Sequence, residues 1–307
     1  MPRPRERSNS PDAVDIFADS LESLYDHHVP AHGDPLQLYT YIPPADATCA
    51  YGGFTVRLPP QQVNELFAHH VWNSSLRLAD GIALDRVRVR DETVLELGSG
   101  AGISGLMAAR AGGAKRVILS DYDDPKIVSN LRENVAMALK DCPEIRTRVA
   151  AFGHTWGEAD SMQQLLRANS SQRFTTILLA DTLWMSSGHD ALLSSLSQSL
   201  AHSASAQVVV CAGFHSGRAT VRSFLRKAAR IGLVCKGAWQ ELGVDGRRRP
   251  WGWDRPDPAR QTDGSALVDN LDAPDEWDEL EDASERNRWV VEGTLGWSDE
   301  AFASDRR

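Results

Sequence analysis

The chain has 307 residues, 42% of them hydrophobic and 24% charged, and a formal net charge of −9. That balance excludes a mostly disordered, collagenous or coiled-coil chain and leaves room for one large domain or two small ones. The acidity is local: ten acidic residues and no Lys or Arg lie between Asp263 and Glu285, the rest of the chain is close to neutral at +1, and net charge therefore says little about any one site.

The basic start with Arg3, Arg5 and Arg7 lacks a following apolar run and is expected to be disordered over its first ten residues or so. Ser10-Pro11-Asp12 reads as a helix start, with Val14, Phe17, Leu21 and Leu24 recurring at helical spacing. Residues 36–58, rich in Tyr, Thr, Val, Pro and Gly, read as short strands with turns between them. Residues 1–60 are thus expected to form an N-terminal extension and 61–307 the main domain. After Pro59-Pro60 a helix is expected through about Asp80, with Phe67, Val71, Leu78 and Ala79 as its apolar stripe.

From Thr93 short apolar runs alternate with helical stretches. Strands are expected near 93–97, 116–120, 146–152, 174–180 and 207–212, with helices near 102–111, 125–139, 158–168, 189–202 and 217–231. Such alternation specifies an α/β fold with a mostly parallel sheet and helices on both faces. Leu233–Leu242 and Asn287–Leu295 then read as an antiparallel edge hairpin. Their connection is far longer than a usual hairpin loop and carries several prolines and the acidic run, so residues 245–286 read as a partly disordered insertion.

Cys49, Cys142, Cys211 and Cys235 form no C-x-x-C pair, so no metal site or disulfide framework is expected. No apolar run is long enough to span a bilayer. These features point to a soluble cytoplasmic or nuclear protein with no membrane partner; no direct nucleic-acid contact and a monomeric state are also expected.

The sharpest local signal is Val94-Leu95-Glu96-Leu97-Gly98-Ser99-Gly100-Ala101-Gly102, an apolar strand running into a glycine turn that opens a helix. Glycines there let the backbone turn tightly beside a ligand, and the helix N-terminus offers free N–H groups. Gly100-Ala-Gly102-Ile-Ser-Gly105 also spells the dinucleotide fingerprint, with Asp121 as ribose partner. Three features argue against a dehydrogenase. Glu96 at the strand end would repel a pyrophosphate but suits the positively charged amino-acid end of S-adenosylmethionine. An edge hairpin replaces a second mononucleotide-binding half. Tyr122-Asp-Asp-Pro125-Lys126 has a proline beside the lysine where a hydride-transfer acid pair would need a helix.

Val71-Trp72-Asn73-Ser74-Ser75, the strand and turn from Val94 to Gly102, Ser120-Asp121-Tyr122 with Asn130-Leu-Arg-Glu-Asn134, His154-Thr-Trp156-Gly157 and Leu179-Ala180-Asp181-Thr182-Leu183-Trp184 occur in this order over about three quarters of the chain. Together they resemble the seven-strand, Rossmann-like S-adenosylmethionine-dependent methyltransferases. The likeness is to family 16, which holds lysine methyltransferases and the proteins called nicotinamide N-methyltransferase-like. The resemblance implies S-adenosylmethionine as cofactor, with Gly98, Ser99 and Gly100 against its methionine end and ribose and Asp121 accepting from the ribose hydroxyls. It places Trp156 over the adenine, Trp72 on the methionine side and Ala180 against the cofactor. Asp181 and Trp184 occupy the family's Asp-x-x-Tyr or Asp-x-x-Phe position beside the transferable methyl. Asp181 would orient the target amine, and Trp184, a departure from Tyr or Phe, would pack its methylene chain.

The resemblance implies methyl transfer to an amine-bearing substrate, a protein lysine or N-terminus. Small-molecule N- or O-methylation, a cofactor-binding module without turnover and a nicotinamide-dependent oxidoreductase are the other readings. Lesser candidates are His215, in the Gly213–Gly217 stretch after the fifth strand, as a proton acceptor or a plain loop histidine. Arg218, Arg222, Arg226 and Arg230 lie at i, i+4 spacing as a solvated face or a dock for the acidic insertion. The pairs His27-His28 and His69-His70 read as surface residues.

Overall fold

The computed structural model describes residues 31–47, 52–60, 70–111, 113–251 and 286–304. The expected helix after Ser10, the disordered start and the acidic run lie outside the described residues, as do His27, His28 and His69. The described part opens on three short strands, β1 (Ala31–His32), β2 (Leu38–Tyr41) and β3 (Phe54–Arg57), and continues with β4 (Val71–Trp72) and α1 (Asn73–Ala83). The alternating part follows as β5 (Thr93–Leu97), α2 (Ile103–Arg110), β6 (Arg116–Asp121), α3 (Pro125–Ala138), α4 (Pro143–Arg146), β7 (Val149–Gly153), α5 (Ala159–Ala168), β8 (Thr176–Ala180), α6 (His189–Ser199), β9 (Gln207–Gly213) and α7 (Arg218–Arg230). The chain then forms β10 (Leu233–Gly243), β11 (Arg248–Pro250), β12 (Trp289–Trp297) and α8 (Asp299–Ser304).

The main sheet runs β11-β10-β12-β9-β8-β5-β6-β7. β9, β8, β5, β6 and β7 are parallel, and β12 pairs antiparallel with β9 on one side and β10 on the other. The parallel strands are near-continuous apolar runs, as burial on both faces requires. Alternation sorts their side chains. Val94, Val117, Leu119, Leu178 and Val209 face one half of the core, and Leu95, Leu97, Ile118, Ile177, Leu179, Val208 and Val210 face the other. α3 starts where Asp124 accepts from the Lys126 and Ile127 N–H groups with Pro125 at the first helical position.

The register brings Leu97, Asp121, Ala180 and Cys211 to one end of the sheet. The strand order reverses between β5 and β8, and the crevice outside strand ends at such a point is where α/β sheets bind ligands.

Three sequence expectations change. The helix expected after Pro60 is present in its described part from Asn73, but Val71 and Trp72 form β4, which pairs with β1; Trp72 is extended, with φ −86° and ψ 148°. The expected N-terminal extension, in its described part, packs against the main domain: Tyr41, Phe54, Val56 and Leu58 lie in the core. Asn134 fastens it by bonding the Arg57 backbone and the Ala101 carbonyl of the glycine turn. β11 adds an edge strand beyond β10, with Arg249 opposite Glu241. Arg218 is not on a solvated face: it forms a bidentate pair of 2.8 and 2.7 Å with the buried Glu241, which Arg249 joins at 2.7 Å. No helix among the described residues is long and apolar enough to cross a membrane.

Candidate active site

The glycine turn closes over the ends of β5 and β6. Gly98, Gly100 and Gly102 have φ of +69°, +53° and +85°, a region that side chains disfavour. A Cβ on Gly98 would sit 2.8 Å from Thr182 Cγ2, so the turn lies tight against the segment after β8. Asp121 ends β6 and receives the turn: its Oδ2 accepts from the Gly100 N–H at 2.6 Å and its Oδ1 from the Tyr122 N–H at 2.7 Å. Burial pushes the Asp121 carboxyl up, and those two N–H groups oppose the shift.

A cavity of about 290 Å³ opens above this turn, at the small end of the ~300–1,000 Å³ usual for ligand sites. Nine of the ten residues singled out in the sequence line it: Trp72, Gly98, Ser99, Gly100, Asp121, Trp156, Ala180, Asp181 and Trp184. Glu96 does not. Alternation turns its side chain away from Leu95 and Leu97 and under α2, where Oε2 accepts from the Gly105 N–H at 3.1 Å. A Cβ on Gly105 would overlap Leu119 and Glu96, which explains the third glycine of the fingerprint as helix-to-sheet packing. Full burial pushes the Glu96 carboxyl up to about 7. Glu96 thus lies behind the turn, apart from the lining residues.

His70, expected at the surface, also lines the cavity, and it bonds the Gly33 carbonyl through Nδ1. Trp156 stands on a turn held by buried His154, whose ring nitrogens bond Ser161 Oγ at 2.8 Å and Ser195 Oγ at 2.9 Å. Ser195 Oγ also accepts from the Gly157 N–H. Burial holds His154 neutral by lowering its pKa to about 4.

Asp181 is built differently. It has φ +58°, its N–H donates to Cys211 C=O at 2.8 Å, and its Oδ1 accepts from the Gly213 N–H at 2.9 Å. Its Oδ2 lies 3.0 Å from His215 Nε2. The turn that follows is pinned by His189 Nε2 on Leu183 C=O and by the Ser216 hydroxyl on Trp184 C=O. Sequence reasoning left His215 among several lesser candidates and missed its pairing with Asp181. The available signal was that β8 and β9 end side by side.

The charges of the cavity wall are one-sided. Asp121 and Asp181 are its acids, His154 is neutral, and no Lys or Arg lies among the lining residues. Tyr122, Trp72, Trp156 and Trp184 supply aromatic surface.

A family model described as lysine methyltransferase matches residues 56–230. The protein N-terminal and lysine N-methyltransferase EFM7 of Gibberella zeae is 37% identical over 145 residues, 43% of this chain and 52% of that protein. The protein of the same description from Schizosaccharomyces pombe is 33% identical over 148 residues, 48% of this chain and 56% of that one. The chain thus spans about half the length of these relatives. Among solved structures, precorrin-6y C5,15-methyltransferase of Geobacter metallireducens superposes with a TM-score of 0.41 at 10% identity, over 73% of this chain and 86% of that one.

Proposed function

Because the chain belongs to the lysine methyltransferase family, whose model spans more than half of it, we propose that it transfers a methyl group from S-adenosylmethionine to a protein amine, a lysine or an N-terminus. The observation that carries this reading is the charge of the cavity. A sulfonium nucleoside fits a pocket whose described lining carries two carboxylates and aromatic walls and no Lys or Arg, whereas the pyrophosphate of a dinucleotide would be repelled by those carboxylates.

Gly98, Ser99, Gly100 and Asp121 would hold the ribose and methionine parts, Trp156 the adenine, and Trp72 and Ala180 the side nearest the acceptor. Glu96 would support this indirectly, by anchoring the first turn of α2. When bound, the cofactor supplies an electrophilic methyl carbon on a sulfonium. The protein's part is alignment and charge: an amine must be neutral to attack, and a free lysine has a pKa of ~10.4. Asp181 accepts an N–H of the incoming amine and fixes the direction of its lone pair, while Trp184 packs its carbon chain and excludes water. No covalent enzyme intermediate is required.

Labelled methyl transfer from S-adenosylmethionine into cell lysate, separated into protein and small-molecule fractions, tests the proposal. Label in protein, removed by acid hydrolysis as N-methyl amino acids, is the expected result. Label confined to small molecules would replace it with the heterocycle or natural-product reading. Thermal stabilisation by NAD but not by S-adenosylhomocysteine would overturn both.

A further inference from the structure

Asp181 is held in place from a neighbouring strand more elaborately than closing the sheet requires. The β8–β9 ladder is complete at Ala180 and Cys211, yet the carboxylate is met twice more, by the N–H of Gly213 at the end of β9 and by His215 in the loop that follows. A Cβ on Gly213 would lie 2.5 Å from His215 Nε2, so glycine at this position is what allows the imidazole to approach. Ser216 then ties the same loop to the Trp184 carbonyl at 2.6 Å. The imidazole packs 4.8 Å from the ring of Trp72, which lines the cavity. Asp181 itself has a left-handed backbone, with φ +58°, a conformation that persists where neighbours over-determine it.

The pair is shielded from water, with side-chain exposures of 12% for His215 and 5% for Asp181. A buried carboxylate is stabilised by hydrogen-bonded partners, and His215 supplies one to Oδ2. Resting on the amine-methylation reading above, we propose that His215 is a positioning residue of the acceptor half of the site: as an imidazolium donating from Nε2 to Asp181 Oδ2 it holds that carboxylate aimed into the cavity. Its Nε2–H occupies one lone pair of Oδ2, and the carboxylate retains others to receive an amine N–H. The charged group that acts on the ring is Asp181, from the end of β8. Asn287, before β12, is a polar neighbour without charge, and Trp72, from β4, brings none. Burial pushes the imidazole down, but the Asp181 charge and hydrogen bond, with help from Asn287, outweigh it and leave His215 above the ordinary histidine range. A raised value means that the pair is complete below the usual histidine pKa and is lost as pH rises through the raised one.

Two readouts on the full chain test this. The first needs no acceptor: NMR titration of the His215 ring in the wild type and in Asp181→Asn. The His215 midpoint is expected to fall by about one pH unit or more in the variant; an unchanged midpoint overturns the proposal. The second is the pH profile of labelled methyl transfer to a peptide with a free N-terminus and one lysine. His215→Gln, which keeps an N–H donor without the charge, is expected to lose the alkaline decline of the wild type. Its turnover at neutral pH should fall by about 10- to 100-fold, with the KM for S-adenosylmethionine unchanged. Wild-type turnover and pH profile in His215→Gln would overturn the proposal. Binding of S-adenosylhomocysteine by each variant reports that it has folded. A wild type that methylates no peptide counts against the proposed function, and the ring titration still decides the role of His215.

Discussion

The two halves of the cavity are assembled on different principles. On the nucleoside side a five-residue turn and the next strand end do the positioning through backbone groups, and the bonds from Gly100 and Tyr122 to Asp121 connect residues adjacent in the motif or across one ladder. On the acceptor side the parts come from β4, the end of β8 and the loop after β9, joined by side chains 32 to 34 residues apart. The first half is a local device that sequence encodes contiguously. The second exists only once the sheet has registered, so it is the half that substitutions can alter while leaving cofactor binding intact.

The largest expected effect lies on the nucleoside side. Asp121→Ala removes a buried acceptor of two backbone N–H groups and is expected to weaken S-adenosylhomocysteine binding, measured by calorimetry, by about 100- to 1,000-fold. Asp181→Asn acts on the other half. It should lower turnover by about 100-fold while binding of S-adenosylhomocysteine stays within about threefold. Equal losses of binding in both variants would erase the division between the halves.

How much of this could be read from the chain follows the same division. The bounds of β5 and the glycine turn were legible because apolar runs and glycines are local signals, and Asp121 followed as the end of the next strand. The direction of Glu96 was also encoded, by its place between Leu95 and Leu97, which face the opposite half of the core; a carboxylate beside a glycine turn draws attention to the ligand and away from that parity. Pairings across long separations were not legible. β4 with β1 joins residues about forty positions apart, and Val71 and Trp72 resemble the start of the following helix until a partner strand is supplied. The Asp181–His215 bond required knowing that β9 lies beside β8. Arg218 was hidden for a related reason: helical spacing identifies a face but not the buried Glu241 that β10 places opposite it.

Glu96 offers a test that sharpens the contrast. Its folded pKa of about 7 lies above the ordinary 4.5. Between those values the native protein holds a proton that the unfolded chain has released, and stability therefore falls as pH rises through that window. Glu96→Gln removes this titration. The variant should match the wild type near pH 5 and exceed it at pH 8 by about 2 kcal/mol in denaturant unfolding, with binding of S-adenosylhomocysteine within about threefold. A large loss of binding would mean that the carboxylate serves the cofactor directly and that the nucleoside half is less purely a backbone device.

The smallest expected effect is on the acceptor side, at Ser216. Its hydroxyl donates to the Trp184 carbonyl at 2.6 Å from an exposed position, where water can replace it, so Ser216→Ala should change stability little. The bond nonetheless joins the loop that carries His215 to the turn that carries Asp181 and Trp184, and its loss frees two segments to shift independently. A net hydrogen bond of ~0.5–1.5 kcal/mol corresponds to roughly a two- to tenfold fall in turnover, with binding of S-adenosylhomocysteine unaffected. Because Ser216 touches neither carboxylate, a fall of that size would show that the relative placement of the two segments limits the reaction. An unchanged rate would assign the precision of the acceptor half to the Gly213 and His215 bonds alone.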